Sequence, residues 1–316
     1  MPLVSIITTC YKHEKFIKET IESILSQTFS DWELLIWDDS PNDETRNIIQ
    51  HYVKKYPDKI RARHHSPSKH IVGNTTFLFS QTSADSQYLA FLEWDDMWTP
   101  EYLSTKLKIF EQYPKVWLVY NELSIIDDKW VITEDKWIAP RTRKWYKNET
   151  DTIWNLIASD MVCFSYSTLM SRKFDWINIH NRWNQSLLGS ESDFWLQIAR
   201  KHNLYWIEVP LTLYRKHSSN TSKDLSLTIK HFDFFVQNYF SDGLITHKEY
   251  TNIQILIYMM KAFDSLLNHK YRLFITNVIH CFELSFFDTI RIWLTSVYYR
   301  LLKPYVFYFK NTLWKK

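Results

Sequence analysis

Three short runs of apolar and β-branched residues set the framework of this chain: Val4–Thr9, Trp32–Trp37 and Tyr88–Leu92. The last two run directly into carboxylates, Asp38-Asp39 and Glu93-Trp94-Asp95-Asp96. Between the first two runs, Phe16, Ile17, Ile21, Ile24 and Leu25 recur at helical spacing within Glu14–Gln27, with Lys and Glu opposite. Asp43–Tyr56 resumes helical character. Alternating strands and helices build a parallel sheet, and a doubly wound sheet of this kind binds ligands beyond the carboxyl ends of its strands. On that ground alone the residues after Ile7 and after Trp37 are site candidates.

Further along, Gly73–Ala84 reads as helix, and Pro100 sits at the start of a helix over Tyr102–Tyr113. Trp117–Tyr120 reads as strand, and residues 121–150, rich in Trp, Lys and Arg, as a loop and short-strand region. Ser190–His202 is expected to be helical, Tyr205–Lys216 extended, and residues 224–316 a helical tail.

The 316 residues, 45% of them apolar, suffice for one large α/β domain with a smaller addition. A formal charge of +3 offers no concentrated basic face for nucleic acid. Cys10, Cys163 and Cys281 are widely spaced and odd in number, which suggests neither a disulfide framework nor a metal-ligand pair and points to a reducing cytoplasm. The start, MPLVSIITTC, lacks the pattern of a signal peptide. No apolar run reaches the roughly 18 residues of a membrane span. His64, His65 and His70 are not read as a metal set, because the adjacent pair cannot both face inward from one strand.

Carboxylates gather at Asp38–Asp39, Glu93–Asp96 and Glu191–Asp193, each at an element boundary. Like charges brought together repel. A hard divalent cation, which takes oxygen ligands and bridges to phosphates, explains their coexistence; turn and cap chemistry is the alternative, stronger for the first cluster than for the second.

These motifs resemble the inverting family 2 glycosyltransferases of the GT-A fold. The opening VSIITTCYKHEKFIKETIESILSQTFSDWELLIWDDSPNDET is similar to the family's nucleotide-binding half. FLEWDDMW resembles its DxD motif, LLGSESDFWLQIA the segment supplying the catalytic base, and YRKHSSNTS its closing R-x-H-x-x-S pattern. The resemblance implies an α/β fold, a GT-A-type doubly wound mixed sheet flanked by helices, with a helical C-terminal extension. Its expected division is a catalytic domain over 1–222, made of a nucleotide-sugar half (1–120) and an acceptor-side half (121–222), and an extension over 223–316.

Carried over by position, the resemblance places Thr9, Tyr11 and Asp39 on a UDP-type or dTDP-type donor. Tyr11 would stack on the base, and Asp39 would accept a uracil-type N3 proton. Asp95 would hold Mn²⁺ or Mg²⁺, with Glu93 near the ribose or the metal, Asp96 as a further candidate ligand, and Arg215 and His217 near the pyrophosphate, His217 also as a candidate ligand. Glu191 would be the general base, with Asp193 as the alternative. Ser190 would cap the helix that follows, whose dipole favours an ionised carboxylate at its start. Lys12 stands where the family has Asn, Glu93 where it has the first Asp, and Trp94 where it has a small residue. The processive Q-x-x-R-W motif is absent, which favours transfer of a single sugar.

The expected partners are a nucleotide-sugar donor and a glycan or lipid-linked acceptor in cell-surface polysaccharide, lipopolysaccharide or other glycan synthesis. From Leu284 onward, aromatic and apolar residues mix with Arg291, Arg300, Lys303, Lys310, Lys315 and Lys316 against the one acid Asp288. Such a tail suits the cytoplasmic membrane face; packing on the catalytic domain or on a second subunit is the alternative. Two other functions compete: a nucleotidyltransferase, whose glycine-rich phosphate loop is missing, and a catalytically silent sugar-binding module.

Overall fold

The structure, a computed structural model, describes residues 2–11, 14–64, 78–135, 165–173, 198, 201–217, 220, 225–243 and 245–292. It divides into two compact units, Met1–Ser218 and Ser219–Lys316.

The first unit is built on a mixed sheet of nine strands among the described residues, in the order β3-β2-β1-β4-β8-β6-β9-β5, with β7 paired to β6. They are β1 (Val4–Cys10), β2 (Trp32–Asp38), β3 (Ile60–His64), β4 (Tyr88–Phe91), β5 (Met97–Trp98), β6 (Val116–Ile126), β7 (Ile132–Glu134), β8 (Leu169–Arg172) and β9 (Asn203–Arg215). The first four are mutually parallel, the doubly wound beginning expected from the sequence. β8 then runs antiparallel to β4 and β6, β9 parallel to β6, and β5 antiparallel to β9, which makes the sheet mixed.

Both faces are covered, so successive residues serve different cores. Val4, Ile6, Leu34, Ile36, Tyr88 and Ala90 pack with residues of α1 (Ile17–Leu25), α2 (Asp43–Lys55) and α3 (Tyr102–Gln112). Their neighbours Ile7, Leu35, Trp37, Leu89 and Phe91 pack on the opposite face with Leu78, Phe79 and Ile198. Burial on both sides is why these strands read as continuous apolar runs.

The helix expected over Glu14–Gln27 is shorter, Ile17–Leu25. Gln27 instead links two helices: its Nε2 donates to Thr99 O at 2.8 Å and its Oε1 accepts from Leu103 N at 3.1 Å, at the start of α3. β6 continues six residues beyond Tyr120 into the region expected to be irregular. Of the helix expected over Gly73–Ala84, residues 73–77 lie outside the described residues, and among the described ones Leu78–Ser80 is helical.

The second unit consists, among the described residues, of α4 (Leu225–Ser241), α5 (His247–Leu267), α6 (Tyr271–Leu284) and α7 (Phe286–Ile292). Thr246 and Glu249 form a reciprocal capping box at the start of α5. Lys261 bridges Asp233 at 3.0 Å, tying α5 to α4. No described helix is long and apolar enough to cross a membrane.

Candidate functional site

Parallel pairing aligns the carboxyl ends of β1, β2 and β4. Thr9 lies opposite Trp37, and Cys10 opposite Asp38. The Asp39 N–H donates to Cys10 O at 3.0 Å, closing the two strand ends together. The indole of Trp37 donates to Asp39 Oδ1 at 2.7 Å, which fixes the orientation of that buried carboxylate. Tyr11, one residue past β1, leaves 47% of its surface exposed, and Thr9 is half-buried.

Behind Asp39, Asp38 accepts the Ser40 N–H at 2.9 Å and meets His64 Nδ1 at 3.1 Å. His64 also contacts Arg46 of α2. His64 is thus engaged with a carboxylate and a guanidinium; His65 and His70 lie outside the described residues.

Glu93, Asp95 and Asp96 follow β4, each presenting a carboxylate oxygen within 4.8 Å of the others. Thr20 of α1 donates to the Trp94 and Asp96 carbonyls at 2.7 and 2.9 Å, fixing the backbone of this acidic turn. Asp96 is fully buried. Its Oδ1 accepts the Arg215 N–H at 2.9 Å, and its Oδ2 accepts the Ser165 and Ser167 hydroxyls at 3.0 and 2.7 Å. Burial and the neighbouring Asp95 push the Asp96 carboxyl well up, and these three donors act in the opposite direction. Asp95, also buried, lies 2.8 Å from His217 Nε2. The His217 ring sits against Phe16 and Trp94, with centroids 5.0 and 5.5 Å away.

Arg215, at the end of β9, is buried and donates from Nε to Asp95 O at 2.9 Å and from Nη1 to Asp127 O at 3.3 Å. The guanidinium therefore braces the acidic turn through backbone carbonyls. Cys10 joins the two acidic regions: burial first, then the charges of Asp38 and Asp95, raise its thiol well above the ordinary range.

Two buried carboxylates and the half-buried Glu93, converging at a strand end, offer a hard-cation donor set with an imidazole alongside. The sequence profile described as "Glycosyl transferase family 2" matches residues 5–176, more than half of the chain. The chain belongs to this family.

Among curated relatives, the family 2 chain is 30% identical over 127 residues to the B. subtilis (strain 168) glycosyltransferase named, provisionally, EpsE, covering 40% of this chain and 45% of that protein. It is 30% identical over 128 residues to the Escherichia coli UDP-Glc:alpha-D-GlcNAc-diphosphoundecaprenol beta-1,3-glucosyltransferase WfgD, covering 40% and 47%. The matches thus span less than half the length of these relatives. Among solved structures, the S. aureus TarS 1–349 fragment superposes with a TM-score of 0.52 at 15% identity over 88% of this chain and 89% of that one. The mannosyltransferase PcManGT from Pyrobaculum calidifontis, solved with GDP-Man and Mn²⁺, gives 0.57 at 12% over 97% and 83%. These likenesses establish the GT-A-type fold.

Of the expected site residues, the structure places Glu93, Asp95, Asp96, Arg215 and His217 together, and Thr9, Tyr11 and Asp39 at the adjoining strand ends. Glu191 and Asp193 lie outside the described residues. The sequence does not single out Ser165, Ser167 or Thr20, although the run Ser165-Tyr166-Ser167-Thr168 is itself the 3₁₀ turn Tyr166–Thr168 with its N-cap Ser165.

Proposed function

We propose that the chain is an inverting glycosyltransferase that moves a single sugar from a UDP-type or dTDP-type nucleotide sugar to an acceptor hydroxyl. The observation that carries this reading is the convergence of Glu93, Asp95, Asp96 and His217 beside the strand end bearing Asp39, in a family 2 chain. The names of WfgD and of TuaG, a B. subtilis relative provisionally assigned to teichuronic acid biosynthesis, support an acceptor in cell-surface glycan synthesis.

In this reading Tyr11 stacks on the base, and Asp39, oriented by Trp37, accepts the base N3 proton. Asp95 would hold Mn²⁺ or Mg²⁺ with Glu93 and His217, while Asp96, engaged by Ser165, Ser167 and the Arg215 N–H, holds the turn. The cation supplies charge neutralisation at the departing diphosphate. Glu191, with Asp193 as the alternative, takes the acceptor proton. The acceptor oxygen then bonds to the anomeric carbon as the bond to the diphosphate oxygen breaks, with inversion. Incubation with a panel of nucleotide sugars, scoring diphosphate release, tests the reading; no release from any donor, with divalent metal and acceptor glycosides present, contradicts it.

A membrane-surface location rests on separate residues. Tyr271, Ile275, Ile279 and Phe282 recur along one side of α6, and Phe286 and Phe287 follow in α7, all exposed. Residues 293–316 continue with eight aromatic residues, five Lys or Arg and no acid. That chemistry suits an anionic bilayer at the cytoplasmic face; pairing with a second copy is the competing occupant.

A further inference from the structure

Trp130 stands in a backbone conformation that its side chain disfavours. Its φ is +69°, in the left-handed region that glycine enters freely and asparagine tolerates, and where a bulky residue is a true outlier. It closes the β6–β7 hairpin. The Trp130 N–H donates to Asp127 O at 3.2 Å, and Asp127 N donates to Val131 O at 3.1 Å. Asp127 Oδ1 accepts the Lys129 and Val131 N–H groups at 2.8 and 3.0 Å. Hairpins of this kind ordinarily place glycine at the left-handed position. A strained residue persists where its surroundings over-determine it, and such residues cluster at functional sites.

The indole is nevertheless 47% exposed, so core burial does not explain it, and Val131 and Ile132 beside it are each 55% exposed. Among the described residues a cation–π contact holds it. The Arg215 guanidinium carbon lies 4.9 Å from the Trp130 ring centroid and 4.6 Å from that of Phe16. The same guanidinium donates to the backbone of Asp95 and of Asp127. An exposed aromatic face is thereby fixed, through one rigid cation, to the turn that carries the candidate metal ligands. Lys15 reinforces the placement by bridging Asp128 of the same hairpin at 2.6 Å.

Sheet order gives this ring a side. β1 and β2, which carry Thr9, Tyr11 and Asp39, lie on one flank of β4, and β6 lies on the other flank beyond β8. By strand order the β1–β2 end and the β6–β7 hairpin belong to opposite sides of β4, while the Lys15–Asp128 bridge ties the hairpin to the loop that follows Tyr11. An acceptor that attacks away from the departing diphosphate needs a surface on this second flank. We propose that Trp130 is an acceptor-binding residue, its exposed indole stacking on the apolar C–H face of a pyranose ring in the acceptor. This rests on the glycosyltransferase reading above.

The probes are p-nitrophenyl glycosides of glucose, galactose and N-acetylglucosamine. With a donor that the wild type uses, Trp130→Gly is expected to lower acceptor kcat/KM by about tenfold or more, chiefly through KM, and Trp130→Phe by severalfold less. Release of diphosphate to water in the absence of acceptor should change by less than about twofold. Thermal unfolding of Trp130→Gly should not fall, because glycine relieves the backbone. Equal acceptor KM in wild type and Trp130→Gly overturns the proposal, as does a matching loss of acceptor-free release, which would make the ring a brace for the donor site. Saturation-transfer NMR on the same glycosides reads the contact without turnover, so it discriminates even if no donor is cleaved. A severalfold drop at the pyranose protons in Trp130→Gly supports the stack, and an unchanged signal overturns it.

Discussion

The Ser167 hydroxyl donates to Asp96 Oδ2 at 2.7 Å inside the protein, across 71 residues of chain. It is one of three donors that hold a buried carboxylate beside a second one, Asp95. Leaving a buried polar group without one of its hydrogen-bond partners costs about 1–3 kcal/mol. Ser167→Ala should therefore lower the unfolding free energy by that order, read as a lower urea midpoint with the m value unchanged. An unchanged midpoint would mean that Ser165 and the Arg215 N–H suffice.

Glu33 predicts how stability responds to acid. It is buried in β2 and accepts from the Ser5 hydroxyl at 2.6 Å and the Ser83 N–H at 2.7 Å, and it pairs with Arg61. Burial raises its carboxyl, yet these donors outweigh it and leave the value below the ordinary one. The fold therefore favours the ionised form. Its contribution is complete above the unfolded-state value of about 4.3 and is lost as the pH falls below it through the folded-state value. Glu33→Gln should be less stable than wild type at pH 7, and the difference should narrow toward acid. A constant gap across that range would show that Glu33 stays ionised or protonated throughout.

How far the sequence carries depends on what buries each element. β1, β2 and β4 announce themselves because both faces are covered and most of their residues are apolar. Beyond Tyr120 the sequence shows no strand pattern for β6, because Asn121, Glu122 and Ser124 look like loop. They are buried in the strand: Asn121 Nδ2 donates to Thr212 Oγ1 at 3.0 Å, and Ser124 to Asp135 at 2.6 Å. β3, Ile-Arg-Ala-Arg-His at the sheet edge, buries only Ile60 completely and gives no apolar run. The strand-end carboxylates were visible as local clusters. Ser165 and Ser167 were not, since a hydroxyl that meets its partner about seventy residues away leaves no local pattern.

The base assignment separates two nearby carboxylates. In the helix expected from the sequence over Ser190–His202, residues two apart would differ by about 200° around the axis, so only one of Glu191 and Asp193 would face the cleft. Glu191→Gln should leave donor affinity near normal and reduce turnover by about 10²-fold or more, and Asp193→Asn should cost much less. The reverse ranking with one donor moves the base to Asp193.

The exposed residues of α6 and α7 make the membrane reading measurable. Ile279→Ser combined with Phe282→Ser should weaken flotation with phosphatidylglycerol vesicles at low salt, with circular dichroism unchanged. High salt should release the wild type in part, because the basic tail contributes electrostatically. Wild-type protein that ignores such vesicles and instead sediments as a dimer contradicts the membrane reading.

The central claim is that Asp95 holds a divalent cation at a nucleotide-diphosphate site. Calorimetric titration of UDP into the wild type and Asp95→Asn, each with Mn²⁺ and with excess chelator, tests it most directly. The account predicts that Mn²⁺ strengthens UDP binding to the wild type by about tenfold or more, and that Asp95→Asn loses most of this gain while keeping the weak metal-free binding. An equal Mn²⁺ gain in Asp95→Asn, or UDP binding to the wild type that is indifferent to the chelator, would contradict it.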